Sequence, residues 1–298
     1  MPLLEKNAAL AAGAGAITNT ITECEARVAG YRMRYLRAGT GPAVVLVHGL
    51  LGYSFSWRFN IPALAERFTV YAPDLIGMGF SDRPARLDCS LDASAERVSE
   101  WIEQLGIRSL NLVGTSHGGG IACAVTAKAR ASGRFHIERL VLVDAVNPWS
   151  RGGRKRLTVL SNPLGAALFR LSFRRMRRYH GYFLRRMYGD PARVTRGTLN
   201  GYAAGLAQPH TAEYGLAVVR CWQRSMEQLR ELYPRLQGIP TQLIWGGRDS
   251  AVTPDSAYRL QRALPGAELV MMPGIGHLPY EEAPEEFNRV LLDFLGRT

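Results

Sequence analysis

From residue 24 to residue 36, polar and apolar side chains alternate on either side of Ala29-Gly30, which predicts two antiparallel strands joined by a tight turn. The pattern then changes to short runs that are apolar throughout and rich in β-branched residues, beginning with AVVLVH at 43–48. A strand apolar on both faces belongs in a parallel sheet covered by helices on both sides. Comparable runs recur at 68–72, 110–114, 140–143, 242–245 and 267–272. Helical periodicity fills the intervals at 57–67, 91–105, 117–132, 254–263 and 284–295. The order is a βαβ series, so the expected fold is α/β: eight strands, two antiparallel and six parallel, with helices on both faces.

The series breaks off between 147 and 235. That stretch lacks any buried-strand run and reads as an inserted helical cap over the carboxyl ends of the strands, leaving 20–146 and 236–298 as the core and 1–19 as an N-terminal extension. The segment also holds 17 Lys or Arg against 4 Asp or Glu, so it carries all of the chain's net charge of +12. Within 168–187, Phe169, Phe173, Met176, His180, Phe183 and Met187 recur at three- and four-residue spacing. Arg170, Arg174, Arg175, Arg177, Arg178, Arg185 and Arg186 take the other side. This predicts a basic amphipathic helix. It suits a roof over a pocket with solvated arginines, a peripheral contact with a membrane surface, or a field that selects anionic substrates. Nucleic acid is not an expected partner, because the charge lies in a cap without a reader motif.

Composition narrows the class. Hydrophobic residues at 47% and charged residues at 21% exclude a disordered or fibrous chain. Cys24, Cys89, Cys123 and Cys221 show neither disulfide nor zinc spacing, so a reducing compartment, the cytoplasm, is expected, with membrane association left open by the cap. The first residues are Ala/Gly-rich but preceded by Glu5 and only weakly hydrophobic, which argues against a signal peptide.

Chemistry is concentrated at strand ends. Gly114-Thr115-Ser116-His117-Gly118 stands between a strand and a helix, the setting in which G-x-S-x-G forces a sharp turn and pushes a serine hydroxyl outward. A hydroxyl needs a base, and the base an orienting acid. His277, in GIGHLPYEE, and Asp249, in GGRD, each follow a strand and fall on the edge that carries Ser116. Asp144, closing LVLVD, competes with Asp249 for the acid role. Two backbone donors are expected to face the developing oxyanion, the N–H of His117 and that of Leu50, with Leu51 as the second candidate. His48 should brace their turn rather than act as a base, and Asp74, Ser81 and Asp82 should fix loop hydrogen bonds. Leu51, Trp57, Trp149, Phe169, Phe173 and Leu278 are candidate pocket residues, with Trp222 and Tyr280 behind them; core packing is the competing role for each aromatic.

The motifs HGLLG, PDLIGMGFSDRP, GTSHGGG, GGRD and GIGHLPYEEAPEEF, in this order over 24–298, resemble the α/β-hydrolase superfamily, and within it the capped group of epoxide hydrolases, haloalkane dehalogenases, meta-cleavage product hydrolases and small esterases. The resemblance implies a small-molecule hydrolase with a Ser116–His277–Asp249 triad and no metal or organic cofactor. Dehalogenases and epoxide hydrolases carry an aspartate where this chain has Ser116. The Gly-Pro pair of the meta-cleavage hydrolases is absent from the HGLLG turn. Hydrolysis of a carboxylic ester or related acyl bond of a largely apolar molecule is therefore expected, with an acyltransferase or carbon–carbon bond hydrolase as alternatives and a non-catalytic binding protein as the competing class.

Overall fold

The computed structural model describes residues 20–150, 158–160 and 162–297, apart from the side chains of Arg174, Met176 and Arg177. The expected N-terminal extension lies outside the described residues. Eight strands form one sheet: β1 (Thr22–Val28), β2 (Tyr31–Ala38), β3 (Ala43–Val47), β4 (Thr69–Pro73), β5 (Ser109–Thr115), β6 (His136–Val143), β7 (Thr241–Gly246) and β8 (Glu268–Met272), in the order β1-β2-β4-β3-β5-β6-β7-β8. Ala29 and Gly30 both take positive φ, +49° and +82°, as the tight hairpin between β1 and β2 requires. β2 pairs antiparallel with both β1 and β4, so it alone runs against the other seven strands, rather than two strands against six. β1 is the edge, and its alternating burial fits a strand covered on one face only.

The core helices are α1 (Ile61–Ala65), α2 (Leu91–Gln104), α3 (His117–Ser132), and, beyond the insertion, α8 (Pro254–Ala263), α9 (Pro279–Glu282) and α10 (Pro284–Leu295). The helix expected over 57–67 is shorter. A 3-10 turn at Ser54–Trp57 comes first, and the helix restarts at Ile61 with Pro62 in its first turn, where a missing N–H costs nothing. The Ser90 hydroxyl caps α2 by accepting from Ala93 N–H, and Gly133 at φ +67° ends α3. One apolar layer joins Trp101, Ile121, Val125 and Leu229; the opposite layer joins Trp57, Leu64, Phe287 and Leu291.

Between β6 and β7 the chain forms α4 (Pro163–Met176), α5 (His180–Arg185), α6 (Arg196–Leu206) and α7 (Thr211–Leu232). The basic helix expected over 168–187 is thus two helices, separated by a 3-10 turn at Arg177–Tyr179. The last helix is no detached roof: Tyr214, Val218, Leu229 and Leu232 of α7 lie in the core layer that also packs α2 and α3.

Candidate active site

β5 delivers Ser116 to the carboxyl edge of the sheet in a strained turn, φ +52° and ψ −121°. The turn is possible because its neighbours are glycines. A Cβ on Gly114 would stand 2.4 Å from the Gly118 carbonyl oxygen, and one on Gly118 would stand 2.3 Å from that of His48. The Ser116 N–H donates to Val143 O at 2.9 Å, and its carbonyl accepts from Val146 N at 3.0 Å, which fixes the turn against the end of β6.

The loops after β7 and β8 bring Asp249 and His277 to this serine. His277 Nε2 lies 3.0 Å from Ser116 Oγ, and Nδ1 lies 2.7 Å from Asp249 Oδ2. An ionised carboxylate can only accept, so the proton sits on Nδ1 and Nε2 is left to receive the serine proton. Asp249 Oδ1 accepts from the N–H groups of Ala251 and Val252, at 2.7 and 2.9 Å, which holds the acid in place. His277 and Asp249 are buried, whereas Ser116 is half-buried and therefore reachable.

Asp144 shares this site without taking the acid position. Its Oδ1 accepts from Gly246 N–H at 2.9 Å, but no N–H reaches Oδ2. Burial, and then the charge of neighbouring Asp249, push its pKa well above the ordinary carboxyl range. The raised pKa favours the protonated form of Asp144 beside Asp249. Asp144, Asp249 and His277 offer ligand atoms within 4.8 Å of one another, the one such cluster among the described residues, and within it His277 Nδ1 and Asp249 Oδ2 are hydrogen-bonded to each other.

The remaining polar candidates are structural in their contacts. The buried His48 ring accepts from Leu75 N–H at 3.0 Å and donates to Gly49 O at 2.9 Å, bracing the turn that carries Leu50 and Leu51. Gly49 brings that turn against Ser116: a Cβ there would be 3.2 Å from the serine Cβ. Asp74 accepts from Ser54 N–H, Phe80 N–H and Arg34, while Ser81 and Asp82 tie the same loop to β2. His117 stands at the first residue of α3 with its backbone N–H at the helix N-terminus.

The expected pocket residues differ in their surroundings. Trp57 is fully buried in the core, its ring 4.7 Å from that of Tyr280. Tyr280 and Leu278 belong to that same buried layer. Trp149 stacks on Tyr233 at 5.6 Å, and Trp222 packs against the opposite core layer. Phe169 and Phe173 lie half-buried against each other on α4. Leu51, at φ +61°, reaches Gly215 of α7. His180 Nε2 lies 3.0 Å from Leu199 O of α6.

Two residues that the sequence reading passed over tie the insertion to the histidine loop. Buried Glu281 is paired with Arg58 and accepts from the hydroxyls of Tyr188 and Tyr202. Glu282 accepts from the N–H groups of Gly276, Gly189 and Asp190, at 2.8, 2.9 and 2.7 Å. The His277 N–H donates to Met187 O at 2.6 Å, so the His277 loop hangs directly from the insertion. Nothing in the string Glu281-Glu282 distinguishes these buried carboxylates from the exposed pair Glu285-Glu286 that follows.

A profile described as alpha/beta hydrolase fold matches residues 42–284. The chain belongs to the alpha/beta hydrolase fold family. This α/β-hydrolase is 31% identical over 295 residues to an uncharacterized protein of Mycobacterium tuberculosis, covering 91% of this chain and 80% of that one. It is 28% identical over 278 residues to haloalkane dehalogenase 2 of the same species, covering 89% and 92%. Among solved structures, the epoxide hydrolase CorEH superposes with a TM-score of 0.80 at 26% identity, covering 93% of this chain and 99% of that one. The protein is an enzyme of the α/β-hydrolase type. Among the described residues no helix is long and apolar enough to cross a membrane.

Proposed function

We propose that this α/β-hydrolase is a serine hydrolase that cleaves a carboxylic ester or related acyl bond of a small, largely apolar molecule through an acyl-enzyme. The observation that carries the reading is one continuous line of hydrogen bonds: Ser116 Oγ to His277 Nε2 at 3.0 Å, then Nδ1 to Asp249 at 2.7 Å. Along it, His277 takes the serine proton as Oγ attacks the carbonyl and returns it to the leaving alkoxide. It then takes a proton from water as that water attacks the acyl-enzyme. The N–H of His117 and that of Leu50 are the donors for the oxyanion, the first reinforced by the α3 dipole.

The identity of the nucleophile separates this enzyme from its dehalogenase and epoxide hydrolase relatives. Attack on an alkyl carbon by a serine would leave an ether, which water does not cleave, whereas attack on an acyl carbon leaves an ester, which it does. Leu50 and Leu51, in the turn that Gly49 brings against Ser116, favour an apolar acyl or alcohol group.

A p-nitrophenyl ester series of increasing chain length tests this reading, together with labelling by a fluorophosphonate. Wild type should turn over and be labelled, and Ser116→Ala should do neither; Ser116→Ala with full hydrolysis would overturn the mechanism. Added alcohol that diverted most of the acyl group into a new ester would replace hydrolysis by acyl transfer.

A further inference from the structure

The first long helix of the insertion, α4, is apolar on two opposite sides. Ala166, Phe169 and Phe173 face the protein, the alanine buried and the two rings half-buried. Leu164, Leu168 and Leu171 are 69%, 58% and 81% exposed. Their spacing of four and three residues puts them on one helical face, so they form a ridge directed at solvent. A single exposed leucine is ordinary, but three in line on one face mark a contact surface.

Cations border the ridge. Arg170 and Arg175 lie on the same helix, and Arg178, Arg185 and Arg186 follow it, interleaved with exposed Tyr179, Tyr182 and Phe183. None of these five arginines has an acidic partner among the described residues, whereas Arg34, Arg58 and Arg134 of the core are each ion-paired. Apolar area alone would suit a second copy of the chain. The arginines decide against it, because two such faces would bring like charges together. Guanidinium groups bind phosphate oxygens bidentately, and a helix with leucines inside a rim of arginines and aromatic rings lies in the plane of a bilayer surface.

We infer that this face of the insertion docks on an anionic phospholipid bilayer, with Leu164, Leu168 and Leu171 in the acyl boundary and the arginines on headgroup phosphates. The contact is peripheral, since α4 is 14 residues long. It does not depend on the acyl chemistry proposed above.

Vesicle flotation of the full-length protein tests the inference, using phosphatidylcholine alone and phosphatidylcholine mixed equally with phosphatidylglycerol. Wild type should float with the mixed vesicles, not with phosphatidylcholine alone, and should be released by added salt. The double variants Leu168→Asp with Leu171→Asp and Arg175→Glu with Arg178→Glu should each lower the partition coefficient about tenfold or more. All four side chains are exposed, so melting temperature and hydrolysis of a soluble ester should stay at wild-type values. Absence of wild-type flotation, equal binding to both vesicle types, or undiminished binding by the leucine variant would each overturn it. So would concentration-dependent self-association that the leucine variant abolishes without any vesicle binding.

Discussion

Asp144 and Asp249 follow successive strands of the sheet, yet only Asp249 reaches Nδ1 of His277, while burial and the charge of Asp249 raise the pKa of Asp144 beside it. The pair separates two positions that look alike in sequence: one carboxylate contacts the histidine, and in the proposed mechanism orients it, while the other lies beside that carboxylate. Asp249→Asn should therefore cost about 10⁴-fold in kcat by presenting an N–H where an acceptor is needed. In Asp144→Asn the amide oxygen can still accept from Gly246 and the NH₂ can still donate to Asp249, so kcat should stay within about fivefold of wild type. Steady-state kinetics with one p-nitrophenyl ester compares the two, and equal losses would contradict the division of labour.

The pH dependence of stability follows from two buried groups of opposite effect. The His117 ring is buried, its Nδ1 has no hydrogen-bond partner among the described residues, and desolvation, then neighbouring His48, pushes its pKa down to about 4 from 6.5. Folded protein then binds fewer protons than unfolded protein between those values. The contribution is complete above pH 6.5 and is lost as pH falls toward 4, about 2 kcal/mol having gone by pH 5. His117→Met, of similar volume, should melt higher relative to wild type at pH 5 than at pH 7.5. Scanning calorimetry at the two values checks this; a pH-independent difference would refute it.

Asp144 works in the other direction. Its folded pKa lies above the unfolded value of 3.8, so the native state holds the extra proton, and the resulting stability is lost as pH rises through the folded pKa. Asp144→Asn removes that titration while keeping both hydrogen bonds. Its melting temperature should exceed that of wild type by a growing margin as pH rises, which a calorimetric series up to pH 9 will reveal.

Most of the sheet and its order of elements was legible because AVVLV and its counterparts are apolar on both faces, a pattern that few other structures require. The positions of Ser116, Asp249 and His277 were legible for a related reason: each follows a strand end and sits among glycines that permit the turn. What was not legible depends on partners distant in sequence. Periodicity in α4 shows an apolar stripe through Phe169 and Phe173, but Leu164, Leu168 and Leu171 form a second one, and spacing alone cannot say which is covered. Trp57 offers the same ambiguity, settled by its burial against the tilted ring of Tyr280. Asp144's raised pKa comes first from its burial and then from the charge of Asp249, 105 residues onward, a neighbour that only the adjacency of β6 and β7 creates.

Glu282 couples the insertion to the His277 loop through three N–H groups, two from the insertion and one from Gly276 beside His277. Truncation leaves all three short of their acceptor, at about 1 kcal/mol or more each. Glu282→Ala should lose about 3 kcal/mol in urea unfolding and, because Gly276 carries the histidine, about tenfold in kcat. Wild-type kcat at reduced stability would show that the tie is structural only.

Gly118→Ala tests the geometry of the elbow more severely than any triad substitution. The added methyl would lie 2.3 Å from His48 O and 2.5 Å from Val47 O, both backbone atoms of the strand end that carries the Leu50 turn. Neither atom can move without shifting β3, so the strain falls on the separation between the serine and the oxyanion donors. Overpacking of this kind costs about 1–3 kcal/mol of stability. Displacing one donor by a fraction of an ångström should cost a further 100-fold or so in kcat, with KM little changed. Gly133→Ala provides the comparison. It sits at φ +67° with open space around the position of its Cβ, so it should lose about 1 kcal/mol of stability and no activity. If both alanine variants lost activity in proportion to stability alone, the close approach of Gly118 to His48 would have no part in catalysis.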